Sequence, residues 1–317
     1  MAPEDLARVR FARSPLDELV QSFLVLLGRK GVDLHRPWVT ATRPRLAGLD
    51  LSLLEALTSV HRYLPDFIMP PPRDAATTFA AELERVRATD PGEVRRSLAY
   101  WSEDELPQAL RPLYDDPARG LGRLADTLTT YWSAAIEPVW PRLCALHDAD
   151  LAYRSSTLTV GGLDKLFADL HPQVEYAGDR VVVTWPHYDV EHRANGAGVL
   201  LIPCAFVWPK LTVFDNDRYQ TAIVYPARGV GQVWTGTPRK DGRLSDLVGR
   251  SRATLLVLLD LPQSTTQLAN YLGVTPATVS EHLAVLRRNR LVDSRRAGRA
   301  VLYARTELGS KLLLEHS

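Results

Sequence analysis

The sequence is poor in cysteine and has no long apolar segment. Among its 317 residues, Cys144 and Cys204 are the two cysteines, too few for a disulfide scaffold and outside any Cys/His spacing typical of zinc. The richest apolar runs, 24–27, 199–207 and 255–261, are much shorter than the roughly 20 residues that span a bilayer. No basic segment followed by an apolar core begins the chain. We therefore expect a cytoplasmic protein with no membrane partner.

The chain also lacks a net excess of charge of either sign. Its 38 Lys and Arg residues face 37 Asp and Glu residues, a formal net charge of +1. That total disfavours a nucleic-acid partner until the charges are divided along the chain. Residues 243–317 carry 11 basic and 6 acidic residues, a net charge of +5, which leaves −4 on residues 1–242. Because a phosphate backbone senses charge within about 10 Å, the basic C-terminal quarter is compatible with DNA binding.

Hydrophobic periodicity predicts that residues 1–150 are mainly helical. Apolar residues recur at helical spacing over 15–28, and Asp50 and Asp74 stand where they could cap two further helices. More helical segments follow up to residue 147. Prolines and capping Asp residues separate these helical segments, which together predict a helical packing unit.

Residues 151–240 read as mainly strands after one short helix over 162–170. Runs of branched residues at 181–185, 199–207, 211–214 and 221–225 predict the strands. The polar, breaker-rich stretch 235–242 predicts a domain boundary. The expected fold is therefore α+β, with an N-terminal effector or dimerisation region over 1–240 and a second domain over 241–317.

The last 75 residues contain the strongest pattern. A long apolar helix over 244–259 precedes a short helix over 265–272 that Ser264 can cap. A three-residue turn, 273–275, leads into a helix over 276–289 with Pro276 at its favoured first position. Two strands joined by a basic turn, 295–299, end the pattern. This order is typical of a winged helix-turn-helix.

The second helix of this motif separates into two faces. Val279, Leu283 and Leu286 recur at core spacing, whereas the opposite face is small or polar, as contact with base edges in the major groove requires. Arginines at the wing tip could follow phosphates or enter the minor groove. The residues expected to bind DNA are Thr275, Ala277, Thr278, Ser280, Glu281, Arg287, Arg288, Arg295, Arg296 and Arg299.

Residues 268–283 and the wing residues 298–303 resemble the ArsR family of winged-helix regulators. The resemblance covers roughly 70 residues and implies a transcriptional regulator, taken as a repressor, that binds an operator of inverted symmetry as a homodimer. Metal-sensing members of that family carry thiolate ligands at the start of the helix before the turn. The corresponding residues here, 263–267, include no cysteine. We therefore expect no metal and no cofactor.

Aromatic residues are concentrated before the proposed boundary, with nine of the chain's 25 between residues 176 and 234. They could line an apolar pocket for a small-molecule effector, or they could simply form the core of the strand-rich part. The candidate pocket residues are Trp185, Phe206, Trp208, Phe214, Tyr225 and Trp234.

One cluster supports an alternative from another functional class. On a strand, His187, Asp189 and Glu191 would share one face, which is a geometry that could hold a metal or support an enzyme with an accessory winged-helix domain. On a loop they are solvated polar residues, and the sequence offers no fourth ligand at a spacing typical of a metal site. The sequence therefore favours a regulator that is not an enzyme.

Overall fold

The structure is a computed structural model and confirms an α+β protein in which helices surround small sheets. A strand-containing helical unit forms the N-terminal region, and a helix-turn-helix with a hairpin follows it. The structure describes residues 8–59, 63–75, 77–101, 106–178, 180–184, 198–214, 219–234, 243–259, 262–297 and 300–315. No helix among these residues is long and apolar enough to cross a membrane.

Helices dominate the first half of the chain, and strands follow. The helices are α1 (Pro15–Leu26), α2 (Val32–Leu46), α3 (Ser52–Leu57), α4 (Phe79–Arg87), α5 (Pro91–Leu98), α6 (Arg111–Asp115), α7 (Pro117–Tyr131) and α8 (Trp140–Ala168). The strands are β1 (Arg10–Phe11), β2 (Val174–Tyr176), β3 (Val181–Val183), β4 (Leu200–Cys204), β5 (Thr212–Phe214) and β6 (Ala222–Pro226).

The central helix of the N-terminal region is α1. The Ser14 hydroxyl caps it by accepting a hydrogen bond from the Asp17 amide at 3.0 Å, and Pro15 begins it. The apolar positions that predicted this helix, such as Leu16 and Leu19, are buried. Its polar residues are buried too, and the side chains of Glu18, Gln21 and Ser22 bond to other parts of the fold.

Several predicted helix boundaries were wrong. Thr78, not Asp74, caps α4, because its hydroxyl accepts from the Ala81 amide at 3.2 Å. The predicted short helix over 162–170 is the end of the longer α8, which breaks its helical geometry at Gly162, where φ is 65°. The sequence analysis did not predict α2.

The larger sheet of the N-terminal region has the strand order β1-β4-β6-β5. β4 is parallel to both β1 and β6, and β5 pairs with β6 in the antiparallel sense. In this register Leu201 lies opposite Ile223. β2 and β3 form a separate antiparallel pair.

Both faces of this sheet are buried. Along β4, Leu200 and Ile202 point into the main hydrophobic core, whereas Leu201 points into a smaller core with Leu166 and Phe167. Alternate residues of a strand point to opposite faces, so a strand covered on both sides is apolar throughout. The continuous apolar runs that predicted these strands have this origin.

The C-terminal segment consists of short helices and a three-stranded sheet. It contains α9 (Arg243–Val248), α10 (Arg250–Leu258), β7 (Gln263–Ser264), α11 (Thr265–Leu272), α12 (Pro276–Arg288), β8 (Val292–Ala297), β9 (Ala300–Arg305) and α13 (Glu307–Glu315). The single helix predicted over 244–259 is two helices, because Gly249 adopts a φ of 83° between α9 and α10. The predicted boundary over 235–242 lies outside the described residues, and it stays a prediction.

The N-terminal region and the C-terminal segment share one hydrophobic core. Leu16 of α1, Leu256 of α10 and Leu283 of α12 belong to the same cluster of buried side chains. α10 packs against α2 and against a 3-10 turn, Val230–Gln232, that follows β6. The position of the helix-turn-helix is therefore set by packing on the N-terminal region.

Candidate nucleic-acid interface

The first helix of the helix-turn-helix, α11, begins with a reciprocal cap. The Gln267 amide donates to the Ser264 hydroxyl at 3.3 Å, while the Ser264 amide donates to the Gln267 side chain at 2.8 Å. This capping box satisfies two amides that a helix N-terminus leaves unpaired. The helix ends at Gly273, whose φ of 68° is the left-handed conformation that favours glycine. The predicted cap and turn are confirmed.

The second helix, α12, is also positioned by local signals. The Thr275 hydroxyl accepts a hydrogen bond from the Thr278 amide at 3.3 Å, and Pro276 is the first helical residue. Val279, Leu283 and Leu286 are buried, as their spacing predicts. These three side chains hold the helix against the core, so the opposite face of α12 points outward.

That outward face is small and polar. Ala277, Glu281 and Arg288 lie along its centre at about 100° per residue, and all three are exposed. Ser280 and Arg287 are exposed at one edge, and Thr278 is half-buried at the other. The structure thus brings together seven of the residues expected to bind DNA, namely Thr275, Ala277, Thr278, Ser280, Glu281, Arg287 and Arg288.

Three hydroxyls on or beside this face have local partners. The Ser280 hydroxyl donates to the Pro276 carbonyl at 2.9 Å, and the Thr275 and Thr278 hydroxyls lie 3.0 Å apart. Hydroxyl groups carry both a donor and acceptor lone pairs. They can therefore keep these bonds and still accept one from a ligand.

The hairpin formed by β8 and β9 is the wing. Its register places Arg295 opposite Leu302 and Arg296 opposite Val301. The prediction of a basic turn over 295–299 was wrong at its first residues, because Arg295 and Arg296 lie within β8. Neighbours on a strand point to opposite faces, so these two exposed arginines cannot face the same side. Arg299 lies outside the described residues.

The predicted aromatic pocket is divided between two cores. The rings of Phe206 and Trp234 lie 5.9 Å apart, in the core that also contains Trp208 and Phe214. Tyr225 belongs to the smaller core on the other face of the sheet. Trp185 lies outside the described residues.

Two aromatic partners from α2 were missed by sequence reasoning. The Trp38 ring lies 4.5 Å from Phe206, and the His35 ring lies 4.6 Å from it. The Trp234 indole donates to His35 Nδ1 at 3.0 Å, and burial lowers the pKa of His35 to about 3, so this imidazole is neutral. Residues 35 and 234 are far apart in sequence, and no local signal connects them.

A buried carboxylate is the other feature that the sequence did not predict. Glu18 receives hydrogen bonds from His147 at 2.7 Å, from the Cys204 thiol at 3.1 Å, and from the Ala205 and Phe206 amides at 2.6 and 3.1 Å. Burial alone would raise the pKa of Glu18, but the interactions with His147, the Ala205 amide and the Cys204 thiol lower it. Glu18 is therefore ionised, and it ties α1 and α8 to the end of β4.

The metal-like cluster of the alternative hypothesis, His187, Asp189 and Glu191, lies outside the described residues. Within the described ranges, no group of three or more His, Cys, Asp or Glu side chains is placed to hold a metal ion. The structure therefore adds no support to that alternative.

Comparison with known families identifies the C-terminal segment. Residues 250–294 match the family described as "Bacterial regulatory protein, arsR family". This segment is an arsR-family domain. The matched range covers α10, α11, α12 and the start of β8, which includes the whole outward face of α12.

Further comparisons concern other parts of the chain. Residues 102–231 match a family of unknown function (DUF5937). A solved structure of a cysteine-to-serine mutant of Lactococcus lactis ZitR is 28% identical, with a TM-score of 0.21, over 26% of this chain and 56% of that chain. The match thus spans little more than half of that chain. A search of curated proteins found no match.

Proposed function

We propose that this protein is a transcriptional regulator that binds operator DNA through the outward face of α12 and contacts phosphates through the wing. The observation that carries this proposal is the division of α12 into a buried apolar face and an exposed polar face within the arsR-family domain. A helix of this kind fits the major groove, where each base pair presents a distinct pattern of donors and acceptors.

The residues of α12 have different roles in this proposal. Thr278 contacts a thymine methyl group, and Glu281 accepts from a cytosine amine or orients a basic neighbour. The amides at the N-terminus of α12, beside Thr275, attract a phosphate. Arg287 and Arg288 in the last turn contact the backbone of the duplex. Ala277 and Ser280 leave room for close approach.

The wing supplies sequence-independent affinity. Of Arg295 and Arg296, the one that faces the DNA neutralises a phosphate, and we assign the same role to Arg299, which lies outside the described residues. The net charge of +5 on residues 243–317 raises the local attraction, while the net charge of −4 on the rest keeps that region off the duplex.

The N-terminal region senses a small effector or mediates dimerisation in this proposal. The regulator acts as a cytoplasmic homodimeric repressor, without catalytic activity, and an effector changes the spacing of the two α12 helices and hence the operator affinity. The buried aromatic cluster around Phe206 and Trp234 includes Trp38 of α2, and α2 packs against α10. In this proposal a rearrangement of the cluster reaches the arsR-family domain through that contact.

The test is a binding titration of the full chain against DNA from its own promoter region over a salt series. Wild-type protein should bind one sequence far more tightly than unrelated DNA. Thr278→Ala should change the preferred sequence, while Arg288→Ala should weaken all sequences and reduce the salt slope by about 1. Arg119→Ala, an exposed arginine on α7, is the matched control and should change neither.

Two outcomes would contradict the proposal. One is the absence of any sequence preference at near-physiological salt. The other is an equal effect of Arg288→Ala and Arg119→Ala, which would place the DNA contact elsewhere. Sedimentation analysis of the same samples tests the homodimer, since a monomer at binding concentrations would exclude it.

A further inference from the structure

The C-terminal end of α11 is completed by residues of the N-terminal region. A helix leaves its last carbonyl groups without partners in the helix. The Gly229 amide donates to the Asn270 carbonyl at 2.7 Å, and the Gln232 side-chain amide donates to the Leu272 carbonyl, also at 2.7 Å. Two carbonyls at the end of α11 thus accept a hydrogen bond from the loop after β6, and that of Asn270 also accepts one from the Gly273 amide at 3.1 Å.

This loop is also packed tightly against the helix-turn-helix. A Cβ atom on Gly231 would lie 3.1 Å from a Leu258 methyl group and 3.2 Å from both a Leu272 methyl group and the Tyr271 carbonyl. Gly231 of the 3-10 turn, Val230–Gln232, therefore lies close against both α10 and α11, where a side chain would crowd them.

The other side of the loop is anchored in the N-terminal region by Asp150 of α8. Its carboxylate accepts from the Arg228 amide at 2.7 Å and from the Tyr225 hydroxyl at 2.5 Å. The Arg228 guanidinium lies 4.5 Å from the centre of the Tyr153 ring. Arg154, which is buried, lies 3.5 Å from the same Asp150 carboxylate. The backbone just before Gly229 is therefore fixed to α8 and β6.

A second contact connects the same two parts. The Asn270 side-chain amide donates to the Asp169 carbonyl at 3.3 Å, while the Asp169 carboxylate accepts from the Tyr153 hydroxyl at 3.0 Å. α11 is thus held at two points, at the end of α8 and in the loop after β6. Only the three-residue turn after Leu272 separates these points from α12.

We propose that Gln232 and Asn270 are positioning residues for DNA recognition, which fix α11, and with it α12, in the orientation that binds the operator. This inference rests on the proposed function of α12. Through these contacts the N-terminal region is coupled to the DNA-binding surface, since a movement of β6 or of α8 near Asp150 displaces the loop that bonds to the end of α11. Neither residue lies on the outward face of α12.

The test compares two substitutions at residue 232. Gln232→Glu keeps the shape but replaces the donor with a carboxylate that faces the Leu272 carbonyl, whereas Gln232→Lys restores a donor of similar reach. Operator affinity should fall about three- to tenfold in Gln232→Glu and stay near wild type in Gln232→Lys. Gln108→Glu, at an exposed site in the N-terminal region, adds the same charge and should leave operator affinity unchanged.

Affinity for unrelated DNA separates positioning from a general loss of structure. That affinity depends on charge and little on the orientation of α12, so it should stay within about twofold for Gln232→Glu. An unchanged or increased operator affinity in Gln232→Glu, or an equal loss on both kinds of DNA, would overturn the inference. If wild-type protein shows no sequence preference, the proposed function fails first, and the inference fails with it.

Discussion

Replacing Glu82 with glutamine should stabilise the protein, and the gain should grow as the pH rises. Glu82 lies on α4 with its carboxylate buried. Its Oε2 accepts from the Ser14 hydroxyl at 3.2 Å and from the Leu16 amide at 2.8 Å, while Oε1 has no hydrogen-bond partner among the described residues. Burial raises the pKa of Glu82 to about 8, and the Asp17 carboxylate adds to this.

The size of the effect follows from proton linkage. The folded protein keeps the Glu82 proton up to about pH 8, whereas the unfolded chain releases it at the ordinary pKa of 4.5. The stability that this group contributes is therefore complete below pH 4.5 and is lost as the pH rises to 8. At 1.36 kcal/mol per pH unit, the loss in the free energy of unfolding approaches about 5 kcal/mol.

Glutamine resembles the neutral form of this side chain. Its oxygen can accept the bonds from Ser14 and Leu16, its NH₂ group takes the place of the unpartnered OH, and it does not titrate. Relative to wild type, the unfolding free energy of Glu82→Gln should therefore rise by about 1.4 kcal/mol per pH unit between pH 5 and 8, then level off. Asp17, whose pKa burial raises to about 7, is present in both proteins, and its contribution largely cancels in the difference.

Urea denaturation at pH 5, 6, 7, 8 and 9 measures this difference. Glu84→Gln is the matched control, because Glu84 lies on the same helix with a side chain that is 75% exposed, and its curve should parallel wild type. If Glu82→Gln also gives a curve parallel to wild type, Glu82 is ionised in the folded protein and the reasoning is refuted.

Three further predictions concern packing and protonation. Gly120→Ala should lower the unfolding free energy of the protein by about 1–3 kcal/mol, because the new Cβ would lie 2.5 Å from the Leu113 Cα. Gly122→Ala on the same helix meets open space and should raise the unfolding free energy by up to about 1 kcal/mol. Thermal unfolding of both variants tests these opposite signs. Leu283→Ala removes a buried side chain of α12 and should lower the unfolding free energy by about 2–5 kcal/mol in urea titrations, and a loss below 1 kcal/mol would contradict its core position. Burial lowers the pKa of His171 to about 4, so its contribution to stability is complete above pH 6.5 and should fall by about 3 kcal/mol as the pH drops to 4, a slope that His171→Asn should remove.

The arsR-family domain was predictable because its signals are local. A cap such as Thr275, a proline at the first helical position and a core spacing such as Val279 to Leu283 act within one or two turns. The same kind of reasoning failed at α2, where Pro37 and Pro44 stand inside the helix. An interior proline costs about 3 kcal/mol, and here burial of Trp38 and its neighbours offsets that cost.

The buried polar contacts could not be predicted, because their partners are distant in sequence. Glu18 bonds to His147 across 129 residues and to Cys204 across 186. No periodicity connects such positions, and a carboxylate in an apolar helix looks unfavourable until its donors are in place. For the same reason, the sequence indicated an aromatic cluster but not the contribution of α2 to it.

The shared core limits how an effector could regulate DNA binding. Leu255 and Leu256 of α10 are fully buried in the cluster that contains Leu16 of α1, so the arsR-family domain is packed onto the N-terminal region. Protein interiors are as dense as organic crystals, and such interfaces change between discrete packings rather than by gradual bending. An effector that alters the operator affinity must therefore repack α10 and α11 together. Hydrogen exchange in these two helices should change in concert when it binds, and a change confined to α12 would require a different route.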